Sequence, residues 1–187
     1  MNSKNIGNDY EREIAKRLSK WFTGNENELV VWRHVSSGSI GTVRKKKGQS
    51  GKNVDGDFQC LDPKYKSFFD VFYMDSKSLS TANFFMINPK NQKSNQLYNE
   101  WKKVVNDAEY KMPIMFVKLR KDRSVPDFII LHENIRVKGN DFIGFAFNET
   151  QYDCIIMTQE NFFIYNNWKE FLSINSKNNF IINNSYN

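Results

Sequence analysis

Two acidic residues and a lysine interrupt neighbouring apolar segments of the sequence. Asp57 begins "DFQC", and Asp75 and Lys77 lie two residues apart at the end of "FFDVFYMDSKS". Because side chains alternate across a strand, Asp75 and Lys77 project from the same face. If the two segments pair as a β-meander, Asp57 lies beside Asp75, and such carboxylates repel unless a cation lies between them or one is protonated. A divalent metal is the simplest resolution, with the lysine placed to hold a phosphate or orient a water.

The opening helix offers a third acid to the same place. Apolar residues at three- and four-residue steps predict a helix over 6–22, and Gly24 follows as a stop. Glu11 falls at the edge of the apolar stripe, whereas Arg12 and Glu13 point further outward. Glu11 is therefore the acid best placed to face the sheet. The alternative is that Glu11 and Arg12 lie on a solvated helix face.

The elements that must position these residues follow from hydrophobic periodicity. We predict strands at 29–35, 54–60, 68–77, 113–119, 127–131 and 152–158, a candidate strand at 142–147, and helices at 95–110 and 159–172. This order of helix, strand meander, helix, strands and helix indicates an α/β fold with a mixed central β-sheet flanked by α-helices. A chain of 187 residues fits one domain, which we assign to 1–175, with 176–187 as a frayed tail.

Composition limits which metal the protein can bind and indicates its cellular compartment. Cys60 and Cys154 are the only cysteines, and with His34 and His132 they cannot form a zinc site of the usual spacing. A metal must then bind to carboxylates, which favours Mg²⁺ or Mn²⁺. The polar N-terminus lacks the apolar core of a secretory signal, and no apolar stretch is long enough to span a bilayer. We therefore expect a cytoplasmic protein with no membrane partner.

A basic segment precedes Asp57. Residues 36–53 are rich in Ser, Gly and Lys, and the net charge of the chain is +6. We predict a mobile loop that can wrap phosphates and makes binding sensitive to salt. The alternative is a solvated insertion without a partner. The basic residues of this loop are Arg44, Lys45, Lys46, Lys47 and Lys52.

The ordered motifs resemble a known superfamily. Glu11-Arg12-Glu13 on the opening helix, then "VWRHVSSGS", Gly56-Asp57 and Asp75-Ser76-Lys77 resemble the PD-(D/E)xK nucleases over roughly residues 4–120. The likeness is greatest to the Holliday junction resolvases of archaeal and phage type. The sequence differs in having Gly-Asp where Pro-Asp is usual, and Asp where Glu is commoner at the third motif.

The resemblance implies a restriction-endonuclease-like fold and a magnesium-dependent DNA endonuclease, with manganese as an alternative ion. It implies that Asp57 and Asp75 bind the metal, that Glu11 contributes directly or through water, and that Lys77 is the catalytic lysine. DNA-backbone contacts would come from Arg12, Arg33, Ser36 and Ser37. It further implies a homodimer that cuts a four-way junction. The alternatives are a nuclease for flaps, nicks or linear duplex, and a DNA-binding protein that does not cut.

Three assignments have competitors within the sequence. Asp55 could replace Asp57, because "DGD" is turn chemistry, but "DFQC" starts the strand. Asp70 is the rival acid of the next strand and is interpreted as structural. Arg33 needs an anionic partner if it is partly buried, and Glu11 could serve as well as a phosphate.

Overall fold

The computed structural model describes residues 3–34, 56–81, 95–122, 124–145 and 150–176. Their helices are α1 (Ser3–Thr23), α2 (Lys66–Val71), α3 (Gln96–Ala108), α4 (Gln159–Tyr165) and α5 (Trp168–Asn175). Their strands are β1 (Val31–Arg33), β2 (Phe58–Cys60), β3 (Phe72–Leu79), β4 (Met112–Leu119), β5 (Phe128–His132), β6 (Phe142–Phe145) and β7 (Cys154–Thr158), and 3₁₀ turns cover Pro63–Tyr65 and Thr150–Tyr152. Nearly all of the predicted basic loop and tail therefore lies outside the described residues.

A five-stranded mixed sheet forms the centre of the fold. Its strand order is β3-β4-β5-β7-β6, with β3 and β4 parallel and the other neighbours antiparallel. β1 and β2 form a separate antiparallel ribbon. The predicted α/β class with a mixed central sheet flanked by helices is confirmed. No described helix has both the length and the apolar character that a bilayer crossing requires.

Each face of the sheet is covered by its own set of helices. On one face α1, α4 and α5 pack against Phe72 and Met74 of β3. On the other face α3 packs against Tyr73 and Leu79, whose side chains alternate with those two along the strand. The odd-numbered positions of β3, which include Asp75 and Lys77, therefore face α3. The helical positions that make these contacts were all apolar in the sequence: Ile14, Leu18 and Phe22 of α1, and Leu97, Trp101, Val104 and Val105 of α3.

The strand predicted at 68–77 is partly wrong. Lys66–Val71 forms α2, and β3 begins only at Phe72. One helical turn buries Phe68 and leaves Asp70 exposed, where it accepts a hydrogen bond from Lys66 Nζ at 2.5 Å across four residues. An element of six residues is too short for periodicity to separate a helix from a strand. Asp70 is thus an exposed helical residue rather than a residue of the next strand.

The predicted meander of the second and third strands is also wrong. β2 pairs with β1, and β3 pairs in parallel with β4. Parallel pairing became available because α3 lies between β3 and β4 in the chain and makes the crossover. Asp57 nevertheless meets β3, since its backbone N–H donates to the Met74 carbonyl oxygen at 3.0 Å.

The predicted closing helix is two helices. α4 ends at Tyr165, and α5 begins after Asn167, whose side chain accepts from the Lys169 N–H at 3.0 Å. The Asn166 side chain is directed elsewhere and accepts from the backbone N–H of Lys138 at 2.8 Å. Two adjacent asparagines thus supply a break and a cap, which is the position that their short polar side chains favour.

Candidate active site

A glycine places the chain of Asp57 against the open edge of β3. Gly56 has a φ of +71°, and a Cβ atom there would lie 2.2 Å from the Met74 carbonyl oxygen. Only glycine combines this left-handed conformation with so close an approach to a neighbouring backbone. The Gly-Asp sequence that departs from the usual Pro-Asp motif therefore has a steric reason here.

The Asp57 carboxylate is held in place by β3. Its Oδ2 atom accepts from the backbone N–H of Ser76 at 3.0 Å and from Ser76 Oγ at 3.3 Å. Two donors fix the orientation of the carboxylate and leave Oδ1 for another partner. Ser76 was named from the sequence only as the middle residue of the Asp75-Ser76-Lys77 motif and was given no role. The signal available in the sequence was its position between Asp75 and Lys77, which places the Ser76 side chain on the opposite face of the strand.

Asp75 and Lys77 form an ion pair that is largely shielded from water. Lys77 Nζ donates to Asp75 Oδ1, and the Asp75 side chain is only 11% exposed. Burial, the charge of Asp57 and a side-chain hydrogen bond with Asp57 raise the pKa of Asp75 to about 7, against the opposing effect of Lys77. The structure therefore brings Asp57, Asp75 and Lys77 together, and the pKa of Asp75 lies near neutral pH.

The acids around Lys77 keep it cationic. Burial lowers the pKa of Lys77, but the charges of Asp75 and Asp57 outweigh burial and raise that pKa above its ordinary value. Glu100, on α3, adds to this effect and also accepts from Lys103 Nζ at 2.8 Å. Glu100 was not predicted from the sequence, because it is a neighbour of Lys77 only when α3 packs on β3.

Glu11 lies against Arg33 in the described structure. Arg33 Nε donates to Glu11 Oε2 at 2.9 Å, and Arg33 Nη2 donates to Asn8 Oδ1 at 3.0 Å. Both charged side chains are about six-sevenths buried. This is the Glu11 partnership that the sequence offered as an alternative to a phosphate. No cluster of three or more His, Cys, Asp or Glu suited to a metal occurs among the described residues.

A double-mutant cycle on Glu11→Ala and Arg33→Ala measures this pair. We expect a coupling free energy of about 1–2 kcal/mol in urea unfolding, as for charged residues in direct contact with little water. The exposed pair Arg12–Asp9 is the control and should couple by less than about 0.5 kcal/mol. A coupling near zero at Glu11–Arg33 would contradict the contact. A metal role for Glu11 would appear separately, as weaker Mg²⁺ binding in Glu11→Ala but not in Arg33→Ala.

Of the remaining predicted DNA contacts, the structure describes only Arg12. Arg12 lies on the exposed face of α1 and pairs with Asp9 at 3.0 Å, so its guanidinium is accessible to a partner in solution. The other predicted contacts lie outside the described residues and stay predictions: Ser36, Ser37, Arg44, Lys45, Lys46, Lys47 and Lys52. Asp55, the competitor of Asp57, also lies outside them.

Comparison with known proteins matches almost the whole chain. Residues 2–180 match the family model described as "Phage putative PDDEXK endonuclease". A search of curated proteins and a search of solved structures each found no match.

Proposed function

Because the chain belongs to the phage PDDEXK endonuclease family, we propose that it hydrolyses DNA phosphodiesters with Mg²⁺ bound by Asp57 and Asp75 and with Lys77 beside the ion. We further propose that its substrate is a four-way junction. The observation that carries the proposal is the acid pair beside a lysine at the edge of β3. A protein that only bound DNA would have no need of two adjacent, partly buried acids, which repel when both are ionised and so cost folding free energy.

The two carboxylates suit a hard divalent cation. Asp57 and Asp75 lie close enough for a hydrogen bond and for the charge of one to raise the pKa of the other. Mg²⁺ is commonly bound by one or two carboxylates, with waters and substrate phosphate completing its coordination, so a third protein ligand is not required. When bound, the ion would polarise a phosphoryl oxygen and lower the pKa of a bound water.

The residues around the acid pair have distinct roles in this proposal. Gly56 and Ser76 orient the Asp57 carboxylate, and Asp75 supplies the second charge for the ion. Lys77 keeps its proton because acids surround it. It therefore acts as a cation that holds a phosphate oxygen and stabilises the charge that develops in the transition state, rather than as a general base. Mn²⁺ should replace Mg²⁺, since both prefer oxygen ligands.

Binding of Mg²⁺ is expected to strengthen as the pH rises. Metal binding requires the ionised form of Asp75, whose pKa is about 7 without metal. The apparent affinity should therefore rise about tenfold per pH unit below that pKa and level off above it. The stability of the metal-free protein changes in the opposite direction. Because the pKa of Asp75 is raised, its contribution to the free energy of unfolding falls as the pH rises from 3.8 towards about 7. Mg²⁺ titrations followed by thermal unfolding between about pH 6 and 8 test the affinity, and equal Mg²⁺ midpoints across that range would contradict it. Urea unfolding of the metal-free protein between about pH 4 and 7 tests the stability, and a contribution that rises with pH, seen by comparison with Asp75→Asn, would contradict it.

A cleavage assay on three substrates tests the proposed function. End-labelled four-way junction, nicked duplex and plain duplex are each incubated with Mg²⁺ or with EDTA. We expect paired, symmetric cuts in the junction alone, and only with Mg²⁺. Cutting of all three substrates would indicate a general nuclease rather than one specific for four-way junctions. Tight binding without cutting would overturn the hydrolytic proposal.

The junction and the homodimer rest on the resemblance of the motif order to Holliday junction resolvases. A two-fold dimer matches the two-fold symmetry of a four-way junction, so each protomer would cut one of the paired strands. Light scattering at the protein concentration of the assay gives the oligomeric state. A monomer that cuts both strands with independent kinetics would contradict the dimer.

A further inference from the structure

A cavity of about 320 Å³ opens between β2 and α2, and its lining includes Phe58, the residue after Asp57. Its walls include His34, Gln59, Cys60, Lys66, Phe69 and Asp70, and we refer to it as the β2–α2 pocket. We propose that this pocket binds one unpaired nucleotide of the DNA strand next to the scissile phosphate. The inference rests on the proposed function and adds to it the feature of the DNA that the site selects.

The β2–α2 pocket is continuous with the acid pair through the backbone. The N–H of His34 donates to the carbonyl oxygen of Asp57 at 2.7 Å, and Phe58, the residue after Asp57, also lines the pocket. Two pocket residues therefore adjoin the backbone of Asp57, and we infer that a nucleotide next to a phosphate at Asp57 and Asp75 can enter the pocket. Phe58 is fully buried and pairs with Arg33, so it anchors the ribbon that forms this wall.

The pocket walls suit a nucleobase better than a bare phosphate. Phe69 offers a half-buried ring for stacking, and Gln59 offers an amide that both donates and accepts. Lys66 is already paired with Asp70 at 2.5 Å, so the two charges largely cancel within the pocket. A nearly neutral cavity with an aromatic wall and one amide matches the recognition of a base by stacking and edge hydrogen bonds.

The size of the pocket selects the state of that base. Its volume lies at the low end of the range of about 300–1,000 Å³ for small-ligand sites, which fits one nucleotide and excludes a base pair with its backbones. A paired base must leave the stack to enter, at a cost of a few kcal/mol, whereas an unpaired base does not bear that cost. The β2–α2 pocket would therefore favour branch points and frayed ends over intact duplex.

Cys60 provides a native reporter of the pocket. It is a free, half-buried wall residue whose thiol donates to the Asp62 carbonyl oxygen, whereas Cys154 is buried elsewhere. Burial raises the pKa of the Cys60 thiol, so alkylation is followed at about pH 9, where more thiolate is present. With the full chain in EDTA, saturating four-way junction should slow Cys60 alkylation about tenfold, in proportion to occupancy. Plain duplex at equal occupancy should slow it far less.

A single substitution tests the walls directly. Gln59→Ala is expected to weaken junction binding about tenfold, the loss typical of one base-edge contact, and to leave duplex binding unchanged. Gln151→Ala is the matched control, because Gln151 is also half-buried but does not line the pocket. Equal loss in the control would mean that the loss does not come from the pocket and would overturn the proposal.

The outcomes for the pocket and for the proposed function are distinguishable. Cleavage that persists while junction and duplex protect Cys60 equally, or not at all, overturns the pocket and leaves the nuclease in place. Selective protection of Cys60 without any cleavage supports the pocket and overturns the hydrolytic function.

Discussion

Asp75→Asn is expected to lower the DNA cleavage rate constant by about 10³-fold or more, because it removes one of the two charges that would hold the cation at the site. The amide has nearly the shape of the carboxyl group, so packing around this buried position is retained. Single-turnover cleavage in saturating Mg²⁺ measures the rate. Thermal unfolding with and without Mg²⁺ measures the ion itself: the wild-type melting temperature should rise with Mg²⁺, and that of Asp75→Asn should not.

Glu170→Gln is the matched control for Asp75→Asn. It also replaces an acid by its amide, but Glu170 lies on α5 and pairs with Lys138 at 2.5 Å, outside the site. Cleavage and the Mg²⁺-induced change in melting temperature should both be unaffected. If Asp75→Asn cut DNA at the wild-type rate, the acid pair would not be the hydrolytic centre.

Gly56→Ala is expected to destabilise the protein by at least about 3 kcal/mol and to abolish cleavage. The left-handed backbone costs about 1–2 kcal/mol for any residue with a Cβ. The new methyl group would also lie 2.2 Å from the Met74 carbonyl oxygen, which already accepts from the Asp57 N–H. Relief of the clash must break that hydrogen bond, at about 1 kcal/mol or more, and displace the Asp57 carboxylate from Ser76.

Gly24→Ala separates the two parts of this effect. Gly24 has a similar φ of +74°, but no neighbouring atom lies within 4 Å of a Cβ there. It should cost only the left-handed penalty of about 1–2 kcal/mol and leave cleavage intact. Urea unfolding gives both free energies. Equal destabilisation by the two substitutions would show that the approach to Met74 is not tight.

Local patterns in the sequence predicted the elements that are long enough to show their period. The helices at 6–22 and 95–110 became α1 and α3, because their apolar stripes extend over several turns. The common face of Asp75 and Lys77 followed from the two-residue alternation of a strand, and the strand that carries them is β3. The need of Arg33 for an anionic partner followed from its apolar surroundings, and Glu11 is that partner in the structure.

The sequence by itself thus determined the α/β class, the acids and the lysine that could do chemistry, and the face on which two of them lie, because these depend on residue type and on spacing of a few positions. The tertiary structure alone decided the parallel pairing of β3 with β4, the hydrogen bonds from Ser76 to Asp57, and the approach of Glu100 to Lys77. These features depend on contacts between residues distant in the chain, and local periodicity carries no information about such contacts. The β2–α2 pocket belongs to the same group, since its walls meet only after β1, β2 and α2 have packed.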